Sequence, residues 1–326
     1  MDDDRIAYRP PLAASDEVRL MARVARLYHD DGLRQTEIAT RLGLSQARVS
    51  RLLKRAVATG IVRVTVVPVP GLNSDVELKL QDGFGLRTAI VVDGDDETVL
   101  RGLGAAAAYH LETSLRSGQL IGVSSRSTSL LASVELMRTV TTLRGVRVVQ
   151  ILGGLGDPSV TEHASRLTEQ LASRTKGEAV FLPAPAVAGS AASAAALRQD
   201  PFVEQTMRMY DRLDVAVVGL GAMTPPAMVM RRVNAISSAE LEDLERLGAV
   251  GDVCLRFFDR AGQPVRSSLS DRIIGIGLDQ LRATPHCVCV AAGSHKVTAI
   301  CGALRAGFID VLVTDKATAE QLLDRR

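Results

Sequence analysis

The sequence predicts an α/β protein in two parts: a small, mainly α helix-turn-helix domain of winged-helix type, followed by a larger α/β domain. Three observations carry this expectation. Two short amphipathic segments between Arg34 and Gly60 are separated by Gly43-Leu44-Ser45. From Asn73 onward, short β-branched runs alternate with helical stretches, the pattern of a mainly parallel sheet covered on both faces. Charge is also uneven. Between Arg34 and Arg63, seven Arg or Lys accompany a single Glu37, a local +6, whereas the whole 326-residue chain carries only +2.

In chain order, residues 1–15 are acidic and then mixed, with Pro10-Pro11 and no periodicity, and read as a mobile tail. A helix is expected over Asp16–His29, with Val18, Met21, Ala22, Ala25 and Leu27 turned inward. Next come Ile38, Ala39, Leu42, Val49, Leu52 and Leu53, at helical spacing on two segments. Gly43 can take the positive φ that ends the first, and Ser45 can accept a hydrogen bond from a free amide opening the second. Val49, Leu52, Leu53 and Val57 form one apolar stripe. The candidate DNA-contacting set is Arg34 and Gln35 on the first helix, with Ser45, Gln46, Ala47, Arg48, Ser50, Arg51, Lys54 and Arg55 on the second. Such side chains can pair with phosphates or guanine edges in a major groove; the plain alternative is a solvated helical face. Ile61–Val67 reads as a strand placed as a small wing. Pro68-Val69-Pro70-Gly71 marks a linker over 68–73. The divisions are thus a tail over 1–15, a DNA-binding domain over 16–67, and an effector-binding and oligomerisation domain over 74–326.

Composition narrows the function. Aromatics make up 3% of residues and Trp is absent, so base-stacking platforms for single strands are scarce and duplex binding fits better. The start, Met1-Asp2-Asp3-Asp4, lacks the regions of a signal peptide, and no run is long and apolar enough to span a bilayer; a cytoplasmic protein without membrane partners is expected. Cys254, Cys287, Cys289 and Cys301 sit in apolar surroundings without a CxxC pair and read as buried thiols. No Ser-His-Asp or HExxH pattern is visible, the five His are scattered, and no metal or cofactor is implied.

In the larger domain, strands are expected at Thr88–Val92, Leu120–Val123, Val146–Leu152, Ala179–Leu182, Val215–Val218, Val253–Phe257, Val288–Ala291 and Val311–Val313. Ligands of such sheets bind where loops leave the C-terminal strand ends. The loop Ser124-Ser125-Arg126-Ser127-Thr128, leading into a helix over Leu130–Arg138, offers hydroxyls, a guanidinium and free amides suited to a phosphate, or it is a Ser-rich loop with a Thr cap. Gln150-Ile151-Leu152-Gly153-Gly154 ends a strand in glycines that let a ligand approach the backbone. Gly219-Leu220-Gly221 follows another strand but completes no dinucleotide fingerprint, and Gly102-Leu103-Gly104 lies in a helical stretch. Lys296, at a helix start, can face an anion, and Asp252 can accept from sugar hydroxyls; the alternatives are a helix-terminal charge and a turn Asp.

The chain resembles the SorC-type sugar-binding transcriptional regulators over about Val18 to Leu323. The motifs are SQARVSRLLKRAVATGIV (45–62), VVQILGGLG (148–156), FLPAPA (181–186), DVAVVGLGAM (214–223), LGAVGDVCLRFFD (247–259) and LRAGFIDVLVTDKATAEQLL (304–323). The resemblance implies a sugar-phosphate isomerase-like effector domain that binds a sugar or phosphorylated sugar without turning it over. It also implies double-stranded operator DNA as partner, the effector's phosphate in the Ser124–Thr128 loop, and Gln150, Asp252 and Lys296 on the same site. The family's phosphate loop follows Gly-x-Gly-x-Thr; here Ser124 and Arg126 stand at the glycine positions and Thr128 is kept. One helix-turn-helix buries too little surface for tight specific binding, so a homodimer or homotetramer is expected. Two rivals are an isomerase- or aldolase-like enzyme fused to a DNA-binding domain, with Lys296 as Schiff base and Asp252 as general base, and a ligand-independent DNA-binding oligomer.

Overall fold

The computed structural model describes residues 16–63, 73–94, 98–124, 127–154, 158–223 and 236–325. The chain divides into two compact units, Met1–Val66 and Val67–Arg326.

The first unit contains α1 (Asp16–His29), α2 (Gln35–Leu42) and α3 (Gln46–Ala58). Its core joins Met21, Val24 and Leu27 of α1 to Ile38 and Ala39 of α2 and to Val49, Leu52 and Leu53 of α3. Burying each of the larger side chains contributes about 1.5–3 kcal/mol, which is what holds three short helices that would not persist alone. Gly43, at φ +62°, ends α2, and Leu44 N–H donates to Ala39 O at 2.9 Å. Ser45 Oγ accepts from Arg48 N–H at 3.3 Å, and the Glu37 carboxylate accepts from Arg34 N–H at 2.7 Å. The turn is therefore fixed from both sides.

Three sequence expectations shift here. On α1, Val18 and Ala22 are exposed and Val24 is fully buried; the expected and observed stripes share Met21, Ala25 and Leu27, and Val24 takes the place of Val18 and Ala22. On α3, Ala56 completes the inner stripe and Val57 is 45% exposed, because Ala56 stands seven residues after Val49, two full turns on, and Val57 lies a further 100° round. Ile61–Arg63 are not strand: Gly60 at φ +74° and a Val62 N–H to Ala56 O bond of 2.9 Å close the end of α3. Residues 64–67 of the expected wing lie outside the described residues, as do 1–15 and 68–72.

The second unit is built on seven strands: β1 (Thr88–Val92), β2 (Leu120–Val123), β3 (Arg147–Gln150), β4 (Glu178–Val180), β5 (Val215–Val218), β9 (Cys287–Val290) and β10 (Val311–Asp315). All neighbours pair in parallel in the order β1-β10-β9-β5-β2-β3-β4. Side chains alternate between two cores. Ala216, Val218, Cys287 and Cys289 face one layer, and Val215, Val217, Val288 and Val290 face the other. Both faces being covered is why these strands read as unbroken apolar runs.

One layer holds α5 (Val99–Ser114), α6 (Thr128–Leu136) and α7 (Pro158–Arg174). The opposite layer holds α4 (Ser74–Phe84), α10 (Ser238–Arg246), α12 (Val297–Arg305) and α13 (Lys316–Leu323). α8 (Ala191–Arg198), α9 (Pro201–Arg208) and α11 (Leu278–Ala283) complete the described helices.

The run Val253–Phe257 does not join this sheet. It belongs to a separate antiparallel one of β6 (Gly221–Ala222), β7 (Gly251–Val253) and β8 (Arg256–Phe258). Cys254 and Leu255 make the β7–β8 turn at φ +50° and +60°, a left-handed pair that two-residue hairpins require and that Asn-Gly normally supplies.

Candidate functional site

On α3 the unit presents Gln46, Ala47, Arg48, Arg51 and Lys54 outward, with Ser45 exposed at the N-cap and Ser50 half-buried. Arg34 is exposed and Gln35 half-buried at the head of α2. Arg55 differs from its neighbours: it is exposed, but its guanidinium is paired with Glu17 of α1, so part of its charge serves the contact between the first and third helices. Arg48, Arg51 and Lys54 thus form a cationic row along an exposed helix that can lie in a groove between phosphates.

The second candidate site follows from strand order. From β2 the chain steps outward to β3 and β4; from β5 it steps the other way to β9 and β10. β2 and β5 are neighbours, and in doubly wound sheets the crevice at such a reversal is where ligands sit. A crevice of about 50 Å³ opens here, lined by Ser124, Gly219, Gly221, Asp252, Cys254 and Leu255.

Its walls interlock. Ser124, 5% exposed, donates its N–H to Val217 O at 3.0 Å, and its Oγ accepts from Gly219 N–H at 3.3 Å. A Cβ on Gly219 would lie 2.7 Å from Ser127 Cβ, and one on Gly221 would lie 2.0 Å from Asp252 Oδ1. These glycines are needed so that the loop after β2 and the Asp252 carboxylate can close on the strand β5 exit. Asp252, 4% exposed, accepts from Leu255 N–H at 3.0 Å, which holds the strained turn.

Lys296 stands at the N-cap of α12, its N–H donating to Gly293 O at 2.8 Å. Burial lowers its pKa, against the opposing pull of Cys289 and Asp252. Burial also pushes the Cys289 thiol up to about 12, so at neutral pH it carries no charge and Asp252 is the operative counter-charge. A desolvated ammonium beside a buried carboxylate suits a ligand bearing both negative charge and hydroxyls.

The other predicted residues fall into place differently. Ser127, not Thr128, caps α6: its Oγ accepts from Leu130 N–H at 3.3 Å, Thr128 is the first helical residue, and the helix ends at Leu136. Ser125 and Arg126 lie outside the described residues. Gln150 is buried with its Nε2 donating to Leu152 O at 2.6 Å, while Tyr210 Oη donates to Gln150 O at 2.9 Å. Gly153 has a structural reason to be glycine, since a Cβ there would lie 2.5 Å from the carbonyl carbon of Pro185; it permits a close chain crossing. Asp252 is in strand β7, not a turn. Cys254 and Leu255 carried no readable site signal, because side chains that tolerate positive φ poorly do not advertise such a turn.

All four cysteines are buried and free, and no described helix is long and apolar enough to cross a membrane. Residues 70–324 match the family model described as "Putative sugar-binding domain", and residues 24–71 match the MarR family model. The sorbitol operon regulator of Klebsiella pneumoniae is 32% identical over 314 residues, covering 95% of this chain and 99% of that protein. The deoxyribonucleoside regulator of Bacillus subtilis (strain 168) is 29% identical over 313 residues, covering 95% and 98%. The full-length crystal structure of the Klebsiella sorbitol operon regulator SorC superposes with a TM-score of 0.79 at 31% identity, over 95% of this chain and 99% of that one. These relatives are regulators of transcription, not enzymes, and the same holds for this chain. With the sugar-binding model spanning most of its length and a 32% identical regulator matching nearly all of it, the chain belongs to the SorC-type sugar-binding transcriptional regulators.

Proposed function

We propose that α3 reads duplex operator DNA through Arg48, Arg51 and Lys54, and that a sugar or phosphorylated sugar held over the C-terminal ends of β2 and β5 changes that affinity. The observation that carries the second half is convergence. Ser124, Gly219 and Asp252 come from three distant stretches and line one crevice at the point where strand order reverses, and the charge of Asp252 acts on Lys296 from a fourth. Lys296 and the start of α6 would hold the anionic end, and Asp252 would accept from hydroxyls. Ser125, Arg126, Ser127 and Thr128 would supply the remaining phosphate contacts, with Arg126, like Ser124, bringing a side chain where the family has glycine.

Regulation then requires that the effector bind the DNA-competent and incompetent assemblies unequally. A homodimer or homotetramer in the cytoplasm supplies those assemblies, since one recognition helix reads only a half-site. Two measurements test the reading. Fluorescence anisotropy on the promoter of its own operon should show Arg51→Ala/Lys54→Ala binding about 10- to 100-fold more weakly, with the salt slope reduced by about 2; unchanged affinity and slope would remove α3 from the interface. Calorimetric titration with a panel of sugar phosphates should find at least one ligand that Lys296→Ala binds about tenfold more weakly. Equal affinity in the variant would clear Lys296 of the role.

A further inference from the structure

At the opposite end of the sheet, by the N-termini of β2 and β3, lies a groove of about 450 Å³. That volume is within the roughly 300–1,000 Å³ range of small-molecule sites. Its apolar lining comes from Leu120, Pro201 and Met209, and Arg147 from β3, Arg208 from α9 and Arg212 from the 3-10 turn Met209–Arg212 line it as well.

The nearby acidic groups leave much of this charge uncompensated. Glu204 is paired with Arg208 at 2.7 Å. Asp211 accepts from Gln280 Nε2 at 2.6 Å, and Asp214 accepts from Leu120 N–H at 2.7 Å. Glu178 stands beside Arg147 in strand register without an ion pair. Among the described residues, the guanidiniums of Arg147 and Arg212 have no hydrogen-bond or ion-pair partner. The frame beneath them is fixed: Leu120 and Arg147 are register partners, and Asp214 N–H donates to Leu120 O at 3.0 Å.

We propose that this groove is a second small-molecule site, separate from the effector crevice, which binds an organic phosphate. Arg147 and Arg212 take the phosphate through their planar donor forks, and Leu120, Pro201 and Met209 take the apolar part. Two guanidiniums favour a phosphate because each can present two parallel N–H donors to its oxygens. Glu204 acts as a brake, since it occupies the third arginine.

Calorimetry on the full-length protein at low salt tests this, with phenyl phosphate and inorganic phosphate as probes. All titrations are run in a Lys296→Ala background, which removes the proposed effector contact and keeps the two sites distinguishable. Phenyl phosphate is expected to bind more tightly than inorganic phosphate, with affinity falling about tenfold in each of Arg147→Gln and Arg212→Gln. Both arginines are exposed, so the variants should fold. Glu204→Gln, which frees Arg208, is expected to tighten binding several-fold. Loss of phenyl phosphate binding in Lys296→Ala alone, or unchanged affinity in the Arg147→Gln/Arg212→Gln double variant, would overturn the proposal. Equal affinity for the two probes would overturn the apolar half. A reduced salt slope for operator binding in the double variant would place these arginines on DNA and overturn it too.

Discussion

On α3, the residues offered to a ligand are those the fold leaves alone. Gln46, Arg48, Arg51 and Lys54 project from a helix whose other face makes the core. In the crevice proposed for the effector the reverse holds: Ser124 and Asp252 are almost fully buried, and two glycines are needed for the walls to meet at all. One site can be altered residue by residue without touching the fold. The other cannot, because its functional groups are also structural ones. Binding energy at the first should track charge and salt, and at the second it should track geometry.

The strongest break of this contrast comes from below the face proposed to read DNA. Leu52 is 4% exposed in a core of eight buried side chains, so Leu52→Ala should cost about 3 kcal/mol. In a unit this small that approaches the whole stability, and circular dichroism should show helix loss while ligand titrations of the effector unit stay unchanged. If the variant melts like wild type, the assigned core is wrong.

Next is Gly153→Ala. The added Cβ meets backbone rather than a flexible side chain, so the effector unit should lose about 1–3 kcal/mol, read as an apparent Tm lower by about 2–10 °C. Wild-type stability with weakened effector binding would instead make Gly153 a ligand-approach residue, as the sequence suggested.

A smaller effect is expected from pH. Burial lowers the Lys296 pKa from its ordinary 10.5, so folding disfavours the ammonium, a cost felt at low pH and relieved as pH rises through the lowered value. An anionic effector needs the charged form, so its affinity should fall as pH rises through that value, and the slope should vanish in Lys296→Met. A pH-independent affinity in wild type would detach the ammonium from the effector.

The smallest effect separates the two readings of α3. Val57→Ala should change stability by no more than about 0.5 kcal/mol, because Val57 is exposed. A loss several times larger would restore Val57 to the core.

The helix-turn-helix was legible because its signals are local: a glycine that must turn left-handed, a serine that caps, and apolar residues at a fixed period. The strand runs were legible for a related reason, since burial on both faces leaves them continuously apolar. The crevice was only half legible. Gly219 and Lys296 stood out as residues following a strand and Asp252 as one preceding an expected strand, but the approach of Gly219 to Asp252 depends on register and strand order, which no short stretch encodes. The Val253–Phe257 run misled for the same reason: an apolar hairpin and a buried parallel strand look alike until their partners are known. Gly153 was ambiguous because a glycine admitting a ligand and one admitting another stretch of backbone are identical in sequence, and the structure supplies the second reason.

The Cys254-Leu255 turn has one more consequence. Two side chains held left-handed cost roughly 1–2 kcal/mol each, and an Asn-Gly pair would relieve that tension. It would also strip the thiol and the isobutyl group from the crevice they line. Sturdiness and shape therefore pull against each other at this corner. Drift toward a more heat-resistant hairpin is expected to blunt the protein's discrimination among ligands before it harms its ability to fold.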